Sequence, residues 1–134
     1  MRRSGPKPGR LNVSNIIRDF AWALQTDQLP EGTSTIQFNV QIDNQTVVKY
    51  ILVREDSPQV CDENMGYDVD VNIAAELKTL GLIWFNSLSI PAAKKQGLLK
   101  VFGNSFYVKN INRWLGTSTF KANKNLKAGN AYCP

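Results

Sequence analysis

The sequence predicts an α+β domain in which a mixed, mostly antiparallel sheet of about five strands is covered by helices. Segments with strand-like alternation and segments with helical spacing follow each other in the order helix, strands, helix, helix, strand, helix. This order lacks the regular strand–helix alternation of a doubly wound sheet. The length of 134 residues fits one domain, which buries roughly two thirds of its unfolded surface without a metal or disulfide.

The N-terminal half is predicted to form one helix followed by a group of strands. Apolar residues recur at helical spacing between Ile16 and Leu24, and Asn12 or Ser14 is the expected cap. Residues 36–42 alternate strictly and predict a strand with one buried face. A turn at residues 43–45 leads to a hairpin partner over residues 47–53.

The C-terminal half begins with a further strand and then changes to helical spacing. Val60 and Cys61 allow a short strand, and the alternation from Tyr67 to Ile73 predicts a longer one. A helix is expected from Ala74 to Phe85. The remaining predicted elements are a helix capped by Ser89 and ended by Gly97, a strand over residues 98–102, and a last helix from about Asn104 to Gly116.

The net charge of +5 is concentrated at the two ends of the chain. Residues 1–10 and 121–134 hold seven basic and no acidic residues, whereas residues 11–120 carry a net charge of −2. We therefore interpret residues 1–10 as a flexible basic arm or linker, residues 11–120 as the domain, and residues 121–134 as a disordered basic tail. Because the domain itself is mildly acidic, no direct specific nucleic-acid binding by it is expected.

The sequence contains no apolar run long enough to cross a bilayer, and its N-terminus lacks the apolar segment of a signal peptide. These observations predict a protein without a transmembrane segment, located in the cytoplasm. The two cysteines, Cys61 and Cys133, are far apart in the sequence. Reduced thiols are the expectation for both of them.

Composition removes most catalytic chemistry. The absence of histidine excludes Ser-His-Asp and Cys-His constellations and histidine-ligated metals, and neither C-x-x-C spacing nor a glycine-rich phosphate motif occurs. Asp68 and Asp70 are two apart on a predicted strand and would point the same way, either as paired carboxylates or, more simply, as its solvent face. We therefore predict no catalytic residues, no metal, no cofactor and no enzymatic activity.

The order of motifs in the C-terminal half resembles the sterol carrier protein type 2 superfamily. The resemblance rests on the acidic/apolar strand, on Ile83-Trp84 in a helix, on Ser89-Ile90 at the start of a second helix, and on the run from Gly97 to Gly103. The segment Arg113-Trp114-Leu115-Gly116, followed by Phe120, is similar to the version found as the C-terminal domain of HxlR-type winged-helix transcriptional regulators. Residues 11–60 match in pattern only.

This resemblance implies an apolar tunnel between the sheet and the helices, of the kind that takes fatty acyl or sterol-like molecules. The residues predicted to line it are Leu80, Trp84, Leu88, Phe106, Ile111 and Trp114. Core packing is the alternative role for each aromatic residue. Arg113 is a possible polar anchor for a ligand carboxylate or phosphate, or else a packing residue whose head group reaches water.

Two functions follow from this interpretation. The first is binding of a small hydrophobic, lipid-like ligand by a sensing module related to transcriptional regulators. The alternative is a dimerisation or interaction module that binds no ligand and serves a homodimer or a winged-helix DNA-binding domain or partner.

Overall fold

The computed structural model describes residues 12–64 and 66–116. The strands are β1 Ser34–Ile42, β2 Gln45–Arg54, β3 Ser57–Cys61, β4 Val71–Glu76 and β5 Leu99–Gly103, and the helices are α1 Val13–Ala23, α2 Leu77–Trp84, α3 Ile90–Lys95, α4 Ser105–Lys109 and α5 Ile111–Trp114. The predicted order of elements is confirmed, except that two short helices replace the last one. The predicted basic arm and tail lie outside the described residues.

The five strands form one sheet in the order β3-β2-β1-β4-β5. Strand β1 pairs antiparallel with β2 and parallel with β4, and the two outer pairings are antiparallel. Ile36, for example, lies between Ile51 on one side and Val71 on the other. The predicted mixed, mostly antiparallel sheet is therefore confirmed, with β1 at its centre.

The core lies between the sheet and the helices. Ile36, Phe38 and Val40 alternate along β1 and are completely buried, as the strict period of this strand predicts. Phe20 of α1 stacks on Phe38 at a centroid distance of 6.1 Å and meets Trp84 of α2 edge-on at 5.4 Å. These aromatic contacts join α1, α2 and the central strand in one apolar layer.

The predicted boundary between strand β4 and helix α2 is wrong by several residues. Strand β4 begins only at Val71, and residues 74–76, for which the spacing predicts a helix, pair with residues 39–41 of β1 instead. Pairing with β1 stabilises residues 74–76 as a strand more than their local spacing favours a helix. Helix α2 consequently begins at Leu77.

The predicted last helix is interrupted at Asn110. The amide nitrogen Nδ2 of Asn110 donates to the carbonyl of Phe106 at 2.8 Å, and the residue has φ −106° and ψ 16°. Asparagine competes with backbone hydrogen bonding in this way because its side chain is short and polar. The result is α4 and α5 in place of one continuous helix.

Lys49 lies on the core side of β2, because its register partner in β1 is Phe38. Only 15% of its side chain is exposed, and its ammonium group contacts the carboxylate of Asp62 at 2.6 Å. This ion pair provides a partner for a cation that would otherwise be costly to bury. The other face of β2 presents Val48, Tyr50 and Leu52 away from the helices.

The segment from Trp114 to Gly116 packs tightly against α1 and the residues that follow it. The amide of Gln25 donates to the carbonyl of Trp114 at 2.9 Å, and a Cβ atom at Gly116 would lie 2.0 Å from the carbonyl oxygen of Ala23. Only glycine fits such an approach.

Cys61 is disulfide-bonded. The expectation of a reduced thiol at this position is therefore wrong.

Candidate functional site

The structure brings four of the six predicted pocket residues into one core. Leu80, Trp84, Ile111 and Trp114 belong to the same buried apolar cluster, and half-buried Leu88 packs against it. Phe106 does not join them, because 43% of it is exposed. Only five of the predicted residues could therefore contact a ligand held between the sheet and the helices.

Trp84 and Trp114 occupy different aromatic groups within the core. Trp84 contacts the ring of Phe20, as described above, whereas the ring of Trp114 lies 6.3 Å from that of Tyr107 in an edge-on arrangement. The indole nitrogen of Trp114 donates to the carbonyl of Tyr107 at 2.9 Å. Trp114 is thus fixed both by packing and by a hydrogen bond that satisfies its only polar atom.

A small polar group lies beside Trp114 at the start of β1. The hydroxyl groups of Tyr107 and Ser34 share a buried hydrogen bond of 2.7 Å. Burial raises the pKa of the Tyr107 phenol above its ordinary value, the hydrogen bond with Ser34 opposes the shift, and the nearby carboxylate of Asp70 adds to it. The phenol is therefore neutral at physiological pH and can act as a hydrogen-bond donor.

Asp68 and Asp70 were predicted to alternate along a strand, either as paired carboxylates or as its solvent face, and this placement is wrong. Asp68 and Asp70 precede β4, so they are not alternating residues of a strand. The carboxylate of Asp70 accepts a hydrogen bond of 2.8 Å from the amide of Thr35, which gives it a structural role at the start of two neighbouring strands. Asp68 is exposed. Among the described residues, no group of three histidine, cysteine or acidic side chains could hold a metal ion.

Arg113 is exposed on α5. The guanidinium group therefore does not lie within the apolar core. The anchoring role of Arg113 stays a prediction.

A cavity that sequence reasoning missed opens at the end of the sheet–helix core. Its volume is about 360 Å³, and it is lined by Gln41, Ile42, Asp43, Glu76, Leu77 and Lys78. Ile42 and Leu77 are half-buried apolar residues that pack against the core, so they join the cavity to it. The sequence marks Ile42 and Leu77 as inward-facing, but only the pairing of β1 with β4 brings them together.

Helix α2 connects this cavity with the predicted pocket residues. Leu77, Leu80 and Trp84 are three and seven residues apart and form one apolar stripe along the helix. Leu77 lies at the cavity, while Leu80 and Trp84 lie deeper and are buried. The apolar stripe of α2 therefore runs from the cavity into the packed core.

Solved structures share this fold. The stereoselective inverting sec-alkylsulfatase from Pseudomonas sp. matches 81% of this chain at 21% identity with a TM-score of 0.60, and this chain spans only 17% of that protein. Sterol carrier protein 2 from Yarrowia lipolytica, in its apo form, matches 77% of this chain and 92% of its own at 16% identity and a TM-score of 0.53. The palmitated sterol carrier protein 2 like 2 from Aedes aegypti matches 75% and 90% at 20% identity and 0.52.

No protein-family profile and no curated protein matches the sequence. None of the helices within the described ranges has the length and apolar character needed to cross a membrane. The fold that the motifs predicted is confirmed by the solved sterol carrier protein 2 structures, whereas the similarity to HxlR-type regulators stays a prediction. The chain has the fold of sterol carrier protein 2 domains.

Proposed function

We propose that this chain binds a small hydrophobic, lipid-like ligand between its sheet and its helices, without catalysing a reaction. The observation that carries the proposal is the 360 Å³ cavity at the open end of the core. Its size falls within the range of about 300–1,000 Å³ that is usual for small-molecule sites. Its apolar residues, Ile42 and Leu77, continue into the buried stripe of α2.

In this site the acyl or ring portion of the ligand enters past Leu77 and contacts Leu80 and Trp84. Further contacts deeper in the core are proposed for Leu88, Ile111 and Trp114. Burial of apolar ligand surface contributes about 25 cal/mol per Å², from which the ordering of ligand and side chains is subtracted. Such binding depends on shape and requires no reactive group.

The rim of the cavity adds a polar contact. Lys78 lines the cavity; its side chain is 80% exposed, and its ammonium nitrogen lies 3.6 Å from a carboxylate oxygen of Glu76. A ligand carboxylate at the mouth can take the place of Glu76 as its partner. The sequence suggested Arg113 as the polar anchor. Lys78 is better placed for this role because it lines the cavity.

The comparisons support the same class of ligand. The Aedes aegypti protein with this fold was solved in a palmitated form. A fatty acid is therefore the first probe for this chain, and its identity of 20% to that protein leaves the natural ligand to be found by extraction.

The test compares palmitate binding by the purified chain and two leucine variants in native mass spectrometry. Leu77→Gln places a polar group in the cavity and should weaken palmitate binding about tenfold or more, whereas Leu82→Gln changes an exposed residue of the same helix and should leave it unchanged. Unfolding curves of both variants separate loss of binding from loss of folding. A chain that stays free of ligand with palmitate, or equal binding by both variants, contradicts the proposal.

A role as an interaction module is the second candidate, favoured by exposed apolar residues on the two longest helices. Trp22 is 51% exposed, Leu82 46% and Phe85 66%. Such residues suit a homodimer or a winged-helix DNA-binding partner, which would make the chain a dimerisation or interaction module of a regulator that binds no ligand. A concentration-dependent dimer that Phe85→Ser abolishes supports this role, and a monomer at all concentrations excludes the homodimer.

A further inference from the structure

Charge is divided sharply between the two halves of the described chain. Residues 12–76 hold eleven acidic and three basic residues, whereas residues 77–116 hold six basic residues and no acidic one. The net charge of the domain is small, but residues 77–116 are strongly basic. This part comprises α2, α3, β5, α4 and α5.

The basic part includes one edge of the sheet. Strand β5 is the last strand in the described sheet, and both α3 and α4 pack against it. The segment formed by the end of α3, by β5 and by α4, residues 94–109, is here named the β5-edge surface. It contains four lysines in sixteen residues, all of them exposed.

Three large apolar residues are exposed on the same segment. Leu98 is 42% exposed, Phe102 51% and Phe106 43%. Phe102 and Lys100 are two residues apart on β5 and pair with Asn72 and Ala74, on the face of the sheet away from the core. Phe102 and Lys100 thus project together from the face of β5 that lies away from the core.

We propose that the β5-edge surface docks the protein on bilayers that contain anionic phospholipids. Lysines attract the negative surface of such a bilayer, while phenylalanine and leucine enter the boundary between head groups and acyl chains. Nucleic acid would also attract the lysines, but stacking on bases uses aromatic rings and gives Leu98 no role. The combination therefore favours a lipid surface.

Helix α2 does not offer the same combination. Lys78 of α2 lies beside Glu76, which offsets its charge, and the exposed Leu82 and Phe85 follow without another cation on that helix. Phe85 and the exposed Arg18 of α1 supply controls outside the β5-edge surface. The inference is independent of the cavity, because docking needs only surface residues.

The first experiment measures sedimentation of the full chain with phosphatidylcholine vesicles, with and without phosphatidylserine. We expect binding only to the anionic vesicles, decreasing as salt concentration rises. Each lysine near the surface contributes about a fivefold change in affinity, so Lys95→Gln with Lys100→Gln should weaken binding about 30-fold. Phe102→Ser with Phe106→Ser should also release the protein, at unchanged net charge.

The control variants are Arg18→Gln on α1 and Phe85→Ser, which make the same kinds of change outside the surface. Both should bind the anionic vesicles within about threefold of the unmodified chain, since surface changes of this kind do not perturb the fold. Equal losses in control and test variants, or binding that none of the variants alters, would overturn the assignment to the β5-edge surface.

Two other occupants give distinct results in the same experiments. Binding of a DNA duplex at equal salt by a chain that ignores anionic vesicles would overturn the proposal in favour of a nucleic-acid partner. A dimer dispersed by Phe102→Ser with no vesicle binding would assign the surface to a second copy. The two proposals are tested separately. Loss of palmitate binding contradicts only the ligand site, and binding to vesicles supports only the docking surface.

Discussion

At the scale of single residues, Tyr107 shows how a buried polar atom is accommodated in an apolar layer. Its side chain is 4% exposed, yet its hydroxyl pairs with Ser34 and its carbonyl accepts from Trp114. Because both polar groups have partners, the ring can pack between α4 and the start of β1 without an uncompensated desolvation cost.

The raised pKa of Tyr107 makes a pH-dependent prediction. Its neutral hydroxyl stabilises the fold fully below pH of about 10, and this contribution is lost as pH rises through the raised pKa of the folded state. Tyr107→Phe should cost about 1–2 kcal/mol at pH 7 because Ser34 loses its partner. Above pH 10 the difference from the unmodified chain should narrow, as measured by urea unfolding.

Ser34→Ala is the control for this prediction, since it removes the same hydrogen bond and keeps the phenol. Its unfolding free energy should still decline at alkaline pH. A constant gap between the unmodified chain and Tyr107→Phe from pH 7 to pH 11 would argue against a buried, neutral Tyr107.

At the scale of elements, helix α1 was predictable because capping and apolar spacing agree. The side chain of Asn12 accepts from the amide of Asn15 at 2.8 Å, and the helix begins at the next residue, Val13. Of the two caps that the sequence allowed, Asn12 is therefore the correct one. Ser14 is exposed within the first turn.

This assignment predicts different costs for two alanine substitutions. Asn12→Ala removes the cap and should lower the free energy of unfolding by about 1 kcal/mol. Ser14→Ala should change it by less than about 0.5 kcal/mol, because alanine has the higher helix propensity at an exposed position. Chemical denaturation of both variants checks the difference, and equal costs would contradict the cap.

The boundary between β4 and α2 shows what element-scale patterns cannot decide. Ala74, Ala75 and Glu76 suit a helix in isolation, since alanine and glutamate are good helix formers. Their pairing with β1 depends on residues more than thirty positions earlier. No local window contains that information.

At the scale of the whole molecule, stability depends on the layer around β1. Phe38 is fully buried between α1 and the sheet, whereas Phe85 at the end of α2 is 66% exposed. Phe38→Ala should cost about 3–5 kcal/mol, and Phe85→Ala less than about 0.5 kcal/mol. Thermal or urea unfolding of the two variants measures this contrast, and similar costs would disprove a single core centred on β1.

The cavity and the basic edge are also properties of the whole molecule. The cavity combines residues of β1, β4 and α2 that are distant in sequence, and the basic edge is exposed because β5 is the last strand of the described sheet. Their chemical uses are separable, because one concerns an apolar ligand and the other a charged surface.

The sequence by itself determined the element order, the α+β class and the apolar faces, because alternation, helical spacing and capping act over a few residues. It also identified Leu80, Trp84, Ile111 and Trp114 as inward-facing. Only the tertiary structure decided that Phe106 and Arg113 are exposed, that β4 extends to Glu76, and that Ile42 and Leu77 share a cavity. Those features depend on strand pairing and layer packing between distant residues, which no local pattern specifies.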